Sequence, residues 1–416
     1  MKKAMGVTII CIVLVLSMCL PTAVQAEEVI KIGALATLEG PFAVLGQDGI
    51  RGIKLALQQW NYTAGGKKLN LSIMSTDATP ESATGAVRKL VEQDKVDIVI
   101  GPLSGSEGIA VKDYAHTQPQ VTFFNGVSAA QDTTLRNPAP NFFRFTGDGV
   151  QWMAGTGEYA VQVKGYKKIV TIAEDYSFAY TNVLGFLLGY CKAGGKVLKR
   201  FWVPVGNKDY STVVASIPDD IDALFVALGG SDAINFLTQY EQAGGNKPMI
   251  GGSVTIDQSV MGSKGRRKNY LIGTPSGSAL ADSWDNPRWK KFQAEYRKTF
   301  PKGFPSPSIF CWGYYVSTTA CLTGLDKVNG DLSENHKAYR ETLSKLVLET
   351  PTGTVRLDEN RQAIADIFVT EVAKGADGNL YSKVVKIIPQ VNQTLGMDRD
   401  EFLALGPVGR DNPPCN

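Results

Sequence analysis

A short apolar run rich in β-branched residues, a polar loop and an amphipathic stretch recur in that order along nearly the whole chain. This recurrence restricts the fold more than any single motif. The first copy is EEVIKIGALATLEGPFAVLGQDGIRGIKLALQQW, residues 27–60. Residues 29–35 have the composition of a buried strand, Leu38-Glu39-Gly40-Pro41 is turn chemistry, and Ile53, Leu55, Ala56, Leu57 and Trp60 fall at helical spacing. The pattern predicts further strands over 69–74, 96–100, 121–124, 168–173, 196–203, 222–228 and 249–251. It predicts helices over 80–93, 108–116, 151–164, 180–193 and 233–243. Repeated βα units imply parallel sheets with helices on both faces.

The alternation restarts near residue 168, which predicts an α/β protein of two Rossmann-like lobes. Helices over 287–300, 307–325 and 333–348, with strands over 363–372 and 381–388, are too little material for a third lobe and must complete the first two. The chain therefore crosses between lobes several times. Extended polar segments at 143–146, 272–275 and 350–353 are the natural crossings, and three of them make a hinge beside a cleft. The expected division is 27–146 with 275–350 in one lobe and 147–274 with 351–416 in the other.

Residues 1–26 read as an export signal. Lys2 and Lys3 form the positive start, residues 7–20 form an apolar core too short to span a bilayer, and Val24-Gln25-Ala26 places small residues before a cleavage site after Ala26. A soluble product outside the cytoplasm, in the periplasm, is expected. Removing the signal lowers the formal net charge from +3 by the two lysines, so a near-neutral chain gives no footing for nucleic acid. Four cysteines remain: Cys191, Cys311, Cys321 and Cys415. Cys311 and Cys321 fall ten residues apart on one predicted helix, about 15 Å of rise, beyond the roughly 7 Å limit for a bridge. Pairing of Cys191 with Cys415 is open. With no CxxC pair and only two histidines, His116 and His336, no metal or cofactor is expected. Both histidines sit in polar helical surroundings and are expected at the surface.

The loops that follow the predicted strands point at the cleft. Ser104, Gly105 and Ser106 stand between a strand and a helix start. Backbone N–H groups and hydroxyls there suit a carboxylate, although Ser106 as a simple helix cap is the alternative. Asn125, Val127 and Ser128 form the second such loop. In the third, Tyr176 offers a ring with a hydroxyl handle and Phe178 an apolar wall. Gly230 marks the fourth. Ser253 and Asp257 belong to the fifth, where Asp257 is either a helix cap or a ligand anchor. Enzyme motifs are missing: there is no GxSxG elbow and no GxxxxGK[ST] loop. Gly155-Thr156-Gly157-Glu158-Tyr159-Ala160 matches GxGxxA but lies within a helical stretch, not after a strand.

KIGALATLEGPFAVLGQDGIRGIKLAL, DIVIGPLSGSEGIAV, FNGVSAAQDTTL and VTIAEDYSFAYTNVLGF together resemble the type I periplasmic solute-binding proteins of branched-chain amino-acid-type ABC importers. The resemblance covers nearly all of the chain after the signal and keeps the motif order. It implies a two-lobed receptor with three hinge strands that traps a small-molecule ligand, works as a monomer and delivers to a membrane permease. By position it implies that Leu45 covers the ligand, that residues 104–106 with Val127 and Ser128 hold its carboxylate, and that Tyr176 contacts it from the second lobe. Ser253 stands where amino-acid binders of this family usually carry an acid for the α-ammonium. A small carboxylate without an amine, such as an aromatic acid, is therefore expected. A branched-chain amino acid with Asp257 turned inward, an amide, a sensory receptor or, remotely, a secreted hydrolase are the alternatives.

Overall fold

The computed structural model describes residues 29–265 and 267–415; the expected export signal and its cleavage site lie outside them. The first part of the chain runs β1 (Val29–Thr37), α1 (Ala43–Gln59), β2 (Thr63–Ala64), β3 (Lys67–Thr76), α2 (Pro80–Arg88), β4 (Ile98–Ile100), α3 (Gly105–Ala115), β5 (Thr122–Phe124) and β6 (Phe142–Phe143). These strands form a six-stranded sheet in the order β2-β3-β1-β4-β5-β6. All its pairs are parallel except the β2–β3 hairpin. The alternation of side chains explains the continuous apolar runs. Ile32, Ala34 and Ile100 join one core, whereas Leu35, Val99 and Phe123 join another on the opposite face.

The second part runs α4 (Gly149–Trp152), α5 (Thr156–Gln162), β7 (Lys168–Glu174), α6 (Ser177–Lys192), β8 (Lys196–Val203), α7 (Ser211–Ala215), β9 (Ala223–Ala227), α8 (Gly230–Gln242), β10 (Met249–Gly251), α9 (Gln258–Met261) and β11 (Pro275–Ser278). The helix expected over 151–164 is broken by Gly155, whose φ of +76° suits glycine. Gly157 lies so close to α6 that a Cβ would stand 2.2 Å from the Tyr190 nitrogen, so the GxGxxA match reports helix packing. The chain then returns to the first lobe with α10 (Pro287–Thr299), α11 (Ile309–Lys327) and α12 (Ser333–Ser344). It ends in β12 (Leu348–Thr350), β13 (Gly353–Leu357), β14 (Ala363–Lys374), β15 (Leu380–Val391) and α13 (Arg399–Ala404). Strands β12 to β14 with β7 to β11 make one sheet in the order β12-β13-β14-β11-β10-β9-β7-β8, with β15 on β14.

Three expectations change. The crossing placed at 272–275 is later: β11 pairs with β10 and β14 of the second sheet, so the chain leaves only after Ser278. Its Pro-Ser-Gly-Ser composition disguises a strand, and Gly277 is small because Trp152 and Thr156 press on it. The late strands are longer than expected and antiparallel, folded back at Asp377-Gly378, a turn pair that permits such a hairpin. His336 is not at the surface: it is buried with Nδ1 2.9 Å from Thr122 Oγ1, turned inward by positive φ values at residues 334–336. Cys191 and Cys415 form a disulfide, and Cys311 and Cys321 are free and buried. Among the described residues no helix is long and apolar enough to cross a membrane.

Candidate functional site

The loops after β1, β4 and β5 face those after β7, β9 and β10, and a narrow cavity lies between them. It holds about 340 Å³ of space between atoms, including its mouth. The first lobe contributes Phe42, Leu45, Leu103, Gly105, Val127 and Ala129, together with Phe310 from the start of α11. The hinge and second lobe contribute Trp152, Tyr176, Phe178, Gly229 and Val254. Four rings form an arc across the cleft: Phe42 to Tyr176 at 6.1 Å between centroids, Tyr176 to Phe178 at 5.9 Å, and Phe178 to Trp152 at 6.2 Å. Among the described residues, no acidic or basic side chain lines this wall.

Charge is supplied instead by backbone. Helices α3, α6 and α8 all begin at the cavity, with Gly105, Ser177 and Gly230 as their first residues. Helix α3 is closed by a capping box, in which Ser104 Oγ accepts from Glu107 N and Glu107 Oε2 accepts from Ser104 N. Helices α6 and α8 start at Tyr176 and Gly229 with no side-chain cap, so their first-turn N–H groups and positive dipole ends are directed at the cleft.

Of the residues singled out in the sequence, Leu45, Gly105, Val127, Tyr176 and Phe178 are in the wall, and Gly230 adjoins wall residue Gly229. Ser104 is not: its hydroxyl caps α3 and donates to the Ala78 carbonyl. The cap is thus Ser104, whereas Ser106 Oγ lies 3.0 Å from Ser177 Oγ across the cleft. Asn125 is buried behind the wall, donating to Thr146 Oγ1. Ser128 is also buried, and a Cβ on Gly108 would stand 1.9 Å from its hydroxyl. Ser253 exchanges two hydrogen bonds with the Asn182 side chain. Asp257 caps α9 through Ser259 N and accepts from Ile309 N at 2.7 Å. It clasps the first turn of α11 and does not face the cavity. Ser104 and Asp257 cap helix starts and Ser253 is held by Asn182, so these polar groups are engaged in the structure around the cavity. Phe42, Leu103, Ala129, Trp152, Gly229, Val254 and Phe310 were missed. Phe42 carried a signal, since it follows Gly40-Pro41 directly after the first strand.

Acids stand behind the wall. Glu174, fully buried at the end of β7, accepts from Gly229 N at 2.9 Å, and burial pushes its carboxyl well above the usual range. Burial also raises Asp232 and Asp257, each to about 6. Such a carboxyl holds its proton more tightly folded than unfolded. Its stabilising contribution is present below the unfolded value near 4 and is lost as pH rises through the folded value. His336, held down to about 4 by burial and by Arg340, opposes this below its unfolded value of 6.5. Urea unfolding is therefore expected to show a gain on the order of 1–3 kcal/mol from pH 7.5 to pH 5, flattened in Asp257→Asn. Equal slopes for the variant and the parent would remove Asp257 from this account.

The family model described as Periplasmic binding protein matches residues 29–378. The chain belongs to this family. Leu/Ile/Val-binding protein homolog 6 of Brucella melitensis is 24% identical over 371 residues, covering 86% of this chain and 91% of that protein. The ABC transporter substrate-binding protein from Sphaerobacter thermophilus superposes at a TM-score of 0.78 with 27% identity, covering 88% of this chain and 99% of that one. The solute-binding protein of an ABC transporter from Rhodopseudomonas palustris BisB5, solved with 3,4-dihydroxy benzoic acid, does so at 0.79 with 24% identity, covering 88% and 98%. As a periplasmic binding protein of an ABC transporter, this chain binds its ligand without chemistry and is not an enzyme. The cleft between its lobes is where such a protein closes on a small molecule.

Proposed function

We propose that this periplasmic binding protein captures a small aromatic carboxylate and delivers it to a membrane permease. The observation that carries the reading is the wall itself: an arc of rings with no charged side chain, onto which three helix N-termini converge. A ligand ring stacks on the arc, while helix starts hold its carboxylate without a basic side chain. An amino acid would bring an ammonium that finds no acid in the wall, at a large desolvation cost, since Ser253 and Asp257 are both engaged elsewhere. The Rhodopseudomonas palustris relative solved with a dihydroxybenzoate supports the same reading.

One observation favours a branched-chain amino acid instead. Glu174 Oε2 is buried without a hydrogen-bond partner behind Gly229, and the Brucella melitensis relative is named for leucine, isoleucine and valine. Thermal shift and calorimetry on protein stripped of ligand separate the two, because a ligand that binds the folded state raises its midpoint. Benzoate and 4-hydroxybenzoate are expected to bind at micromolar Kd or tighter, about −8 kcal/mol, with leucine giving no shift. Binding of leucine alone, abolished by Glu174→Gln, would replace the aromatic-acid reading with the amino-acid one.

A further inference from the structure

Beside the cavity the two lobes meet backbone to backbone. Gly105, the first residue of α3 in the first lobe, lies against the start of α6 in the second. A Cβ built on Gly105 would stand 2.7 Å from the Phe178 nitrogen, 2.9 Å from the Phe178 Cβ and 3.0 Å from Ser177 Oγ. On the other flank, a Cβ on Gly230 would stand 2.6 Å from the Pro41 carbonyl oxygen. The two contacts bracket the arc formed by Phe42, Tyr176 and Phe178. Neither contact leaves room for a methyl group, and the nearest atom at each, the Phe178 nitrogen and the Pro41 carbonyl oxygen, is backbone, which cannot swing aside as the end of a long side chain can.

We infer that Gly105 and Gly230 are the closure stops of the receptor: their missing side chains set how near the lobes approach and so the width of the cavity. The inference rests on the two-lobed capture reading but not on which ligand is captured. Gly105 gives the cleaner test of the two. Gly230 has a φ of +49°, so any side chain there is strained for local reasons as well. Gly105 is not among the glycines of positive φ, and it begins a helix, where alanine is well tolerated. A methyl at residue 105 therefore leaves each lobe intact and penalises only their approach, much as overpacking penalises a filled core.

Ser106 and Ser177, whose hydroxyl oxygens are 3.0 Å apart across the cleft, supply a reporter of closure. With both replaced by cysteine, a cross-link forms only when the lobes meet, and the native free thiols, Cys311 and Cys321, are buried. Gly105→Ala in this background is expected to slow cross-linking about tenfold or more, with an unfolding midpoint equal to or above that of the parent. Gly85→Ala serves as control, because no atom would crowd a Cβ there, and should cross-link at the parental rate. Small-angle scattering with 4-hydroxybenzoate gives a second reading away from the engineered thiols: the parent contracts on binding and Gly105→Ala contracts less. Cross-linking of Gly105→Ala at the parental rate would overturn the inference. If 4-hydroxybenzoate fails to bind the parent, the aromatic-acid reading falls, and the cross-linking rates still decide the role of Gly105.

Discussion

Replacing Arg144 by methionine is expected to lower the stability of the protein by about 3–5 kcal/mol, the cost of breaking a buried ion pair by removing one partner. Arg144 sits on the first crossing between the lobes, fully buried. Its backbone pairs with the segment that joins β13 to β14, where Arg144 N donates to the Arg361 carbonyl and Ala363 N donates to the Arg144 carbonyl. The guanidinium donates to Gln362 Oε1 at 2.5 Å, to the Ala130 and Ser128 carbonyls at 2.6 and 3.3 Å, and to Thr134 Oγ1 at 2.6 Å, with Asp148 Oδ2 3.5 Å away. Burial pulls its pKa down to about 10, so it stays charged at neutral pH. Methionine fills similar volume but leaves these acceptors unpaired and the fully buried Asp148 without its cation. Urea unfolding followed by circular dichroism measures the loss, and Arg144→Lys, which keeps the charge but not the fork, should fall between. A loss below about 1 kcal/mol for Arg144→Met would mean that the network relaxes around the gap, in contrast to the usual cost of orphaned buried groups.

The same network ties the hinge to the cavity. The carbonyls held by Arg144 belong to the loop that carries Val127 and Ala129, both in the wall. From its other side that loop accepts from Gly149 N through the Ala129 carbonyl, and Gln131 N donates to Thr181 Oγ1 of α6. A wall segment of the first lobe is thus positioned by the hinge and touched by the second lobe. This is the arrangement expected where rotation about the crossings reshapes a cleft.

The lobes and five of the twelve wall residues were legible because they obey short-range rules. Leu45, Gly105, Val127, Tyr176 and Phe178 lie in the loops or first helical turns after apolar strands, and in a parallel sheet that position faces the switch point whatever the helices do. Trp152 and Phe310 were not legible. Each comes from a helix at or beyond a crossing, and its direction depends on how the crossings fold. Asp257 and Ser253 were visible as polar loop residues, but capping and ligand binding use the same atoms. Only tertiary geometry shows Asp257 closing on Ile309 N and Ser253 on Asn182. His336 was misread because its neighbours are polar, whereas three successive positive-φ residues turn it toward Thr122. Strand β11 was misread because its glycine answers the pressure of Trp152 and Thr156, which no local pattern records.

Loss of the Cys191–Cys415 disulfide is the second large effect expected. The tail after β15 runs from the hinge along the second lobe. Gln393 donates to Asp148 Oδ2 and the Gln131 carbonyl, Phe402 packs with Leu135, Val150 and Leu184, and Arg410 Nε donates to Asp175 Oδ1. Cys415 then bonds Cys191 near the end of α6, closing a sequence separation of 224 residues. A loop of this length gives about 5 kcal/mol in the chain-entropy model, and measured effects run lower. Cys191→Ser and Cys415→Ser are each expected to lower stability by about 2–4 kcal/mol, with the double variant no worse than either. Melts of the three variants, and of the parent with and without reductant, check this. Variants within about 0.5 kcal/mol of the parent would mean that Phe402 and Arg410 hold the tail unaided. Ligand affinity should change by less than about twofold: α6 begins at the cavity with Ser177, and the helical rise to Cys191 places it roughly 21 Å from that end. The disulfide therefore stabilises the lobe that closes without touching the surfaces on which it closes.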